Sequence, residues 1–125
     1  MKLFEARSKD GATAVRFEWR MDEWGSTHDH RIVARTPQID EEFRFGACAR
    51  FGLGRVHRFF GDASITECGL GFQNPQIITY DLKRDESGSI SLTVEDSNRR
   101  EPIRIDLGCD LSTRQWKEEV VSDAR

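Results

Sequence analysis

The stretch "QIITYDLKRDESGSISLTVEDSNRREPIRIDLG", residues 76–108, alternates apolar and polar residues with a period of two, and that period decides the class of fold. In "SISLTV" the residues Ile90, Leu92 and Val94 share a face, and in "PIRIDL" Ile103, Ile105 and Leu107 do. Successive side chains of a strand point to opposite sides, so each run has one apolar face and one wet face. Between the runs lie "KRDESG" and "DSNRRE", made of residues that favour turns. The pattern predicts a three-stranded antiparallel meander.

The same alternation continues toward the N-terminus. "LFEARS" and "TAVRFEWR" flank the hairpin signal "KDG", and Val15, Phe17 and Trp19 share one face of the second run. "HDHRIVAR" reads as a third strand stopped by Pro37, and "EEFRF" as a fourth. In the middle, "RVHRFF" reads as a strand, followed by "DASITE" and "LGF", with Gly46, Gly52, Gly54, Gly61, Gly69 and Gly71 implying bends or bulges. Toward the C-terminus, Ser112 and Gln115 have the spacing of a capping box. Trp116, Val120 and Val121 then fall on one stripe, which predicts a helix over about 111–123. The expected architecture is mainly β: an antiparallel barrel or two-sheet sandwich of seven or eight strands, spanning about 2–107. The C-terminal helix packs on it, and the whole of 1–125 forms one domain.

A chain of 125 residues with 37% apolar and 33% charged residues is expected to be a soluble globular domain with a real core. No run of 18 apolar residues offers a membrane span, and "MKLFEARSKDG" lacks the apolar block of a signal peptide. The three cysteines, Cys48, Cys68 and Cys109, are an odd number without a pairing pattern and read as reduced thiols of a cytoplasmic protein. The net charge of −3 argues against binding polyanions by bulk charge. Its distribution is uneven, however. "FRFGACARFGLGRVHRFFG", residues 43–61, holds four arginines, five phenylalanines, a histidine and no acid.

That basic aromatic segment carries the first candidate site. Arginine pairs bidentately with phosphate, and an exposed phenylalanine gives a base a face to stack on. Arg50, Phe51, Arg55, His57 and Arg58 are the candidate ligand-binding residues. The competing reading is structural: in a strand, "FRF" and "RVHR" put phenylalanines in the core and arginines in water, paired with acids of neighbouring strands.

Three further candidates are weaker. His28 and His30 are two apart, so on a regular strand both imidazoles leave one face, as two ligands of a zinc or iron site would. Spacing supplies no third ligand, and the expected cofactor is none. Cys68, in "TECGLG", could act as a nucleophile only if His57 and an acid such as Glu67 or Asp62 met it in space. Trp24 lies in a polar loop, where an indole can anchor an interface.

Two families are resembled in part. Arg31 and Arg35 in "RIVAR", with Asp62 and Ser64 in "DASITECGL", resemble the paired motif of PilZ domains. Those are small barrels that bind cyclic di-GMP through an arginine pair and a D-x-S-x-x-G segment. Here the glycine falls at Gly69, two places late, and Glu67 stands in its place. Seven strands followed by a helix bearing Trp116 are similar to the pleckstrin-homology plan. The functional expectation is a non-enzymatic binding module for a protein partner, an anionic small molecule or nucleic acid, with homo-oligomerisation left open. The alternatives are a small metal- or cysteine-dependent enzyme and a structural subunit of an assembly.

Overall fold

A computed structural model describes residues 2–21, 27–46, 51–73 and 77–117; at 21, 27, 28, 46, 51–53, 70–73, 77, 116 and 117 it describes the backbone alone. The described chain runs β1 (Lys2–Ser8), β2 (Ala14–Met21), β3 (Thr27–Arg35), β4 (Asp40–Gly46), α1 (Phe51–Gly61), β5 (Glu67–Gln73), β6 (Ile77–Arg84), β7 (Ile90–Asp96), β8 (Ile103–Gly108) and β9 (Leu111–Lys117). The strands form two antiparallel sheets, of order β4-β3-β2-β1-β9 and β5-β6-β7-β8.

The meander read from residues 76–108 is β6, β7 and β8, and the early strands are β1 to β4. Their alternation explains why they pair as they do. Phe4 lies opposite Phe17, Phe17 opposite Ile32 and Ile32 opposite Phe43, so one face of β1 to β4 is mostly apolar. Ile78, Tyr80, Leu82, Leu92, Val94 and Ile105 supply the facing surface from the other sheet. Side chains of both sheets and of α1 join in one hydrophobic cluster. The turns follow their residues: in the β1–β2 hairpin Gly11 takes φ 74°, and Asp10 accepts hydrogen bonds from the Ser8 hydroxyl and the Ala12 N–H.

Two expectations are corrected. Residues 111–117 do not begin a helix; they form β9 and pair with the free edge of β1, Leu3 opposite Trp116 and Arg7 opposite Ser112. An unpaired edge leaves backbone donors and acceptors without partners, and that demand outweighs a capping box worth about 1 kcal/mol. Residues 118–123 of the expected helix lie outside the described residues. The helix of the described chain is instead α1, which contains "RVHRFF", a stretch whose pattern predicts a strand.

Candidate functional site

The sequence of α1, "FGLGRVHRFFG", is helical because its apolar residues recur at three and four. Val56 and Phe59 are fully buried and Phe60 is half-buried against the core. Arg84, from the end of β6, fastens the C-terminal end of the helix. It donates to the carbonyls of Phe59 and Asp62 at 2.9 and 3.0 Å and also to that of Ile65. Its guanidinium lies 4.5 Å from the Phe59 ring centroid. The last carbonyls of a helix have no partner within the helix, and a cation there also answers the helix dipole.

This arrangement divides the predicted ligand-binding residues. Arg55 and Arg58 are exposed and three apart, hence neighbours on the solvent side, with Cβ atoms about 5–6 Å apart. Among the described residues neither makes a hydrogen bond or ion pair. Gly54, beside Arg55, is exposed, and a Cβ built there would meet nothing within 4 Å. His57 points the other way. Its ring lies 5.1 Å from that of Phe4, and its Nε2 is buried without a hydrogen-bond partner. Burial, and then the charge of Lys2, push its pKa below the usual histidine value. Phe51 starts α1, one turn before Arg55, but its side chain and the whole of Arg50 lie outside the described residues.

The arginines of the five-stranded sheet behave differently. On its outward face Arg7 pairs with Glu5 at 3.1 Å, Arg16 with Glu18 at 2.7 Å and Arg44 with Glu42 at 3.6 Å. Arg31 bridges Asp29 and Glu42 at 2.9 and 3.1 Å, and Arg35 reaches Asp40 at 3.5 Å. A small hollow of about 60 Å³ between Arg7, Arg16 and Arg35 is therefore ringed by guanidiniums that already face carboxylates. A shallow groove of about 360 Å³ along the β7–β8 hairpin mixes Glu95, Asp96 and Glu101 with Arg99 and Arg100 and has no single sign of charge.

Of the two histidines weighed as metal ligands, only His30 has a described side chain. The β2–β3 ladder pairs Arg20 with Asp29 but Met21 with Thr27, so His28 is the extra residue of a bulge and the alternation between 28 and 30 is broken. His30 is fully buried: Nδ1 lies 3.0 Å from the Glu18 carbonyl, Nε2 lies 3.1 Å from the Tyr80 hydroxyl, and the ring stacks on Trp19 at 4.9 Å. Burial lowers its pKa to about 4. Among the described residues no group of three or more histidines, cysteines or acids could hold a metal.

Cys68 is buried on β5 as a free thiol, its pKa raised by burial, which is the reverse of what activates a nucleophile. Cys109 is exposed and free. Cys48 and Trp24 lie outside the described residues, and Trp116 is placed by its backbone alone. Asp62 and Ser64, read as half of the PilZ motif, close a local turn in which Asp62 accepts from the Ser64 N–H and hydroxyl at 2.9 and 2.6 Å.

No family model, curated protein or solved structure matches this chain. Neither the PilZ nor the pleckstrin-homology resemblance thus gains support, and the second also loses the described part of its helix to β9.

Proposed function

We propose that this protein is a non-enzymatic binding module that takes a phosphate-bearing ligand on the solvent face of α1. The observation that supports it is the pair Arg55 and Arg58, exposed on one face and held by no hydrogen bond or ion pair among the described residues, the nearby acid being Asp62, four residues beyond Arg58 and hydrogen-bonded to Ser64. Two guanidiniums one turn apart can straddle a single phosphate. Gly54 adds to the argument. Glycine inside a helix costs about 1 kcal/mol relative to alanine, and no side chain among the described residues needs the space it leaves open. Close approach of a ligand would use that space. In this reading the chain acts as one domain, its two sheets being the layers of a sandwich with α1 along the β5 edge.

The test is a titration with ATP and with a short single-stranded DNA oligonucleotide, followed by anisotropy at several salt concentrations. The expected result is salt-dependent binding of one of them, weakened at least about tenfold by Arg55→Ala with Arg58→Ala. Binding of neither probe, or binding that survives the double substitution, overturns the reading.

A further inference from the structure

A second set of polar groups stands without partners on the inner side of the five-stranded sheet. Lys2 lies directly opposite Trp19 in the β1–β2 ladder. Opposed residues of an antiparallel pair project from the same face, here the one that carries Phe4 and Phe17. His57 comes to the same place from α1: its ring rests on Phe4, two residues along β1 from Lys2, whose charge it feels.

Trp19 is fully buried, yet its Nε1–H has no hydrogen-bond partner, and neither has Nε2 of His57. Among the described residues Lys2 makes no ion pair or hydrogen bond. Buried polar atoms without partners are rare in native folds, because each forfeits its hydration. Two of them, in residues that both border the same lysine, form a pattern. The indole and the ammonium are donors only, and neutral imidazole donates through Nε2 in one of its tautomers. Among the described residues the ring neighbours of Trp19, Phe4 and Phe17 on this face include Phe60 and His30, neither of them an acid. Lys2 and His57 are only half-buried, so the place is reachable from solvent where β1 begins.

Lys2, the Trp19 indole and the Nε2–H tautomer of His57 supply donors, no carboxylate stands by them among the described residues, and the aromatic walls complete what defines the guest. It must bring an acceptor, bear a negative charge for Lys2, and have a body that prefers phenylalanine to water. A single lysine suits a monoanion better than a doubly charged phosphate, whose desolvation it could not offset. We infer that Lys2, Trp19 and His57 form a binding site for the carboxylate of a small apolar acid, the acid's body lying against Phe4 and Phe60. The site is separate from the outer face of α1 and does not depend on the function proposed for it.

Benzoate is the probe, with benzamide as its neutral counterpart, and the Trp19 indole N–H signal in a 1H–15N spectrum is the readout. Benzoate is expected to shift that signal saturably, and benzamide is not. Lys2→Gln is expected to weaken benzoate about tenfold, the loss of one charge-assisted hydrogen bond, with the rest of the spectrum unchanged. His57→Phe, which keeps the contact with Phe4 but has no ring nitrogen, is expected to weaken it as well. Arg55→Ala with Arg58→Ala should leave benzoate binding intact. A Trp19 signal indifferent to benzoate overturns the inference, and so does binding unaffected by Lys2→Gln. Loss of benzoate binding in the α1 double variant does the same, since it would put the acid on the outer face.

Discussion

The five-stranded sheet and helix α1 carry the same side chains in opposite states. On the outward face of the sheet Arg7, Arg16, Arg31 and Arg44 each find a carboxylate two residues away in their own strand. Alternation makes this automatic, because residues i and i+2 share a face, so a strand written R-x-E or E-x-R neutralises itself. α1 sits in a run of 19 residues, 43–61, without an acid, and Arg55 and Arg58 form no ion pair among the described residues; the acid that follows, Asp62, senses Arg58 but is hydrogen-bonded to Ser64. The histidines repeat the contrast. Both ring nitrogens of His30, on β3, are bonded inside the fold, while Nε2 of His57, on α1, has no partner. Polar groups that the fold engages contribute to stability; those it leaves over are where a second molecule can contribute.

The largest effect should come from an engaged group. His30 is buried neutral, with a folded pKa of about 4 against 6.5 for an ordinary histidine. The unfolded chain therefore binds a proton below about 6.5 that the folded chain refuses until about 4, and stability falls as pH drops through that window, by about 3 kcal/mol in all. Urea unfolding at pH 7.5 and 4.5 should show this slope, and His30→Phe, less stable at neutral pH, should show much less of it. A variant that keeps the whole slope would assign it to other groups and remove His30 from the contrast. Arg84 comes next. Arg84→Met should cost about 2 kcal/mol, because the Phe59 carbonyl at the end of α1 and those of Asp62 and Ile65 beyond it lose a charged donor. Arg84→Lys should recover less than half, since an ammonium cannot reproduce the planar fork.

The left-over groups should respond in the opposite sense. Arg55→Ala with Arg58→Ala is expected to change stability by no more than about 0.5 kcal/mol, yet to weaken a phosphate-bearing probe about tenfold and lower its salt slope by about one per arginine. Arg16→Ala with Arg35→Ala removes the same formal charge from the sheet and should leave the probe's affinity almost unchanged. Equal losses from the two pairs would mean that the probe senses only net charge, and the distinction between sheet and helix would collapse.

Much of this division is legible in the sequence, and the exceptions have physical reasons. Strands β1 to β4 and the meander announce themselves because each has one buried face, and alternation is the trace that such burial leaves. β9 hides because its place is fixed by the open edge of β1, a demand that residues 111–117 do not carry in their own pattern. α1 is misread because "RVHRFF" is too short to separate periods; Val56, Phe59 and Phe60 fit a helix only once the core they enter is known. Arg55 and Arg58 are visible from composition, but not that His57 between them turns inward. His28 and His30 look paired because a bulge has no signature in "HDHR". Arg84 and Lys2 give no signal at all: what each does depends on a partner distant in sequence.

The smallest predicted effect bears most directly on whether α1 has a guest. Gly54→Ala adds one methyl group where the fold has open space and replaces a poor helix former by a good one. Stability should rise by about 0.5–1 kcal/mol. Gly69→Ala is the contrasting case, because a Cβ there would displace the Asp81 carboxylate, so it should bring less stabilisation than Gly54→Ala. If a ligand lies close to the helix backbone, Gly54→Ala stabilises the protein and weakens the phosphate-bearing probe together, a trade that no intramolecular contact of the described chain accounts for. A stabilised variant with undiminished affinity would place the probe on the arginine side chains alone, clear of the backbone, and Gly54 would then be only a weakness in the helix.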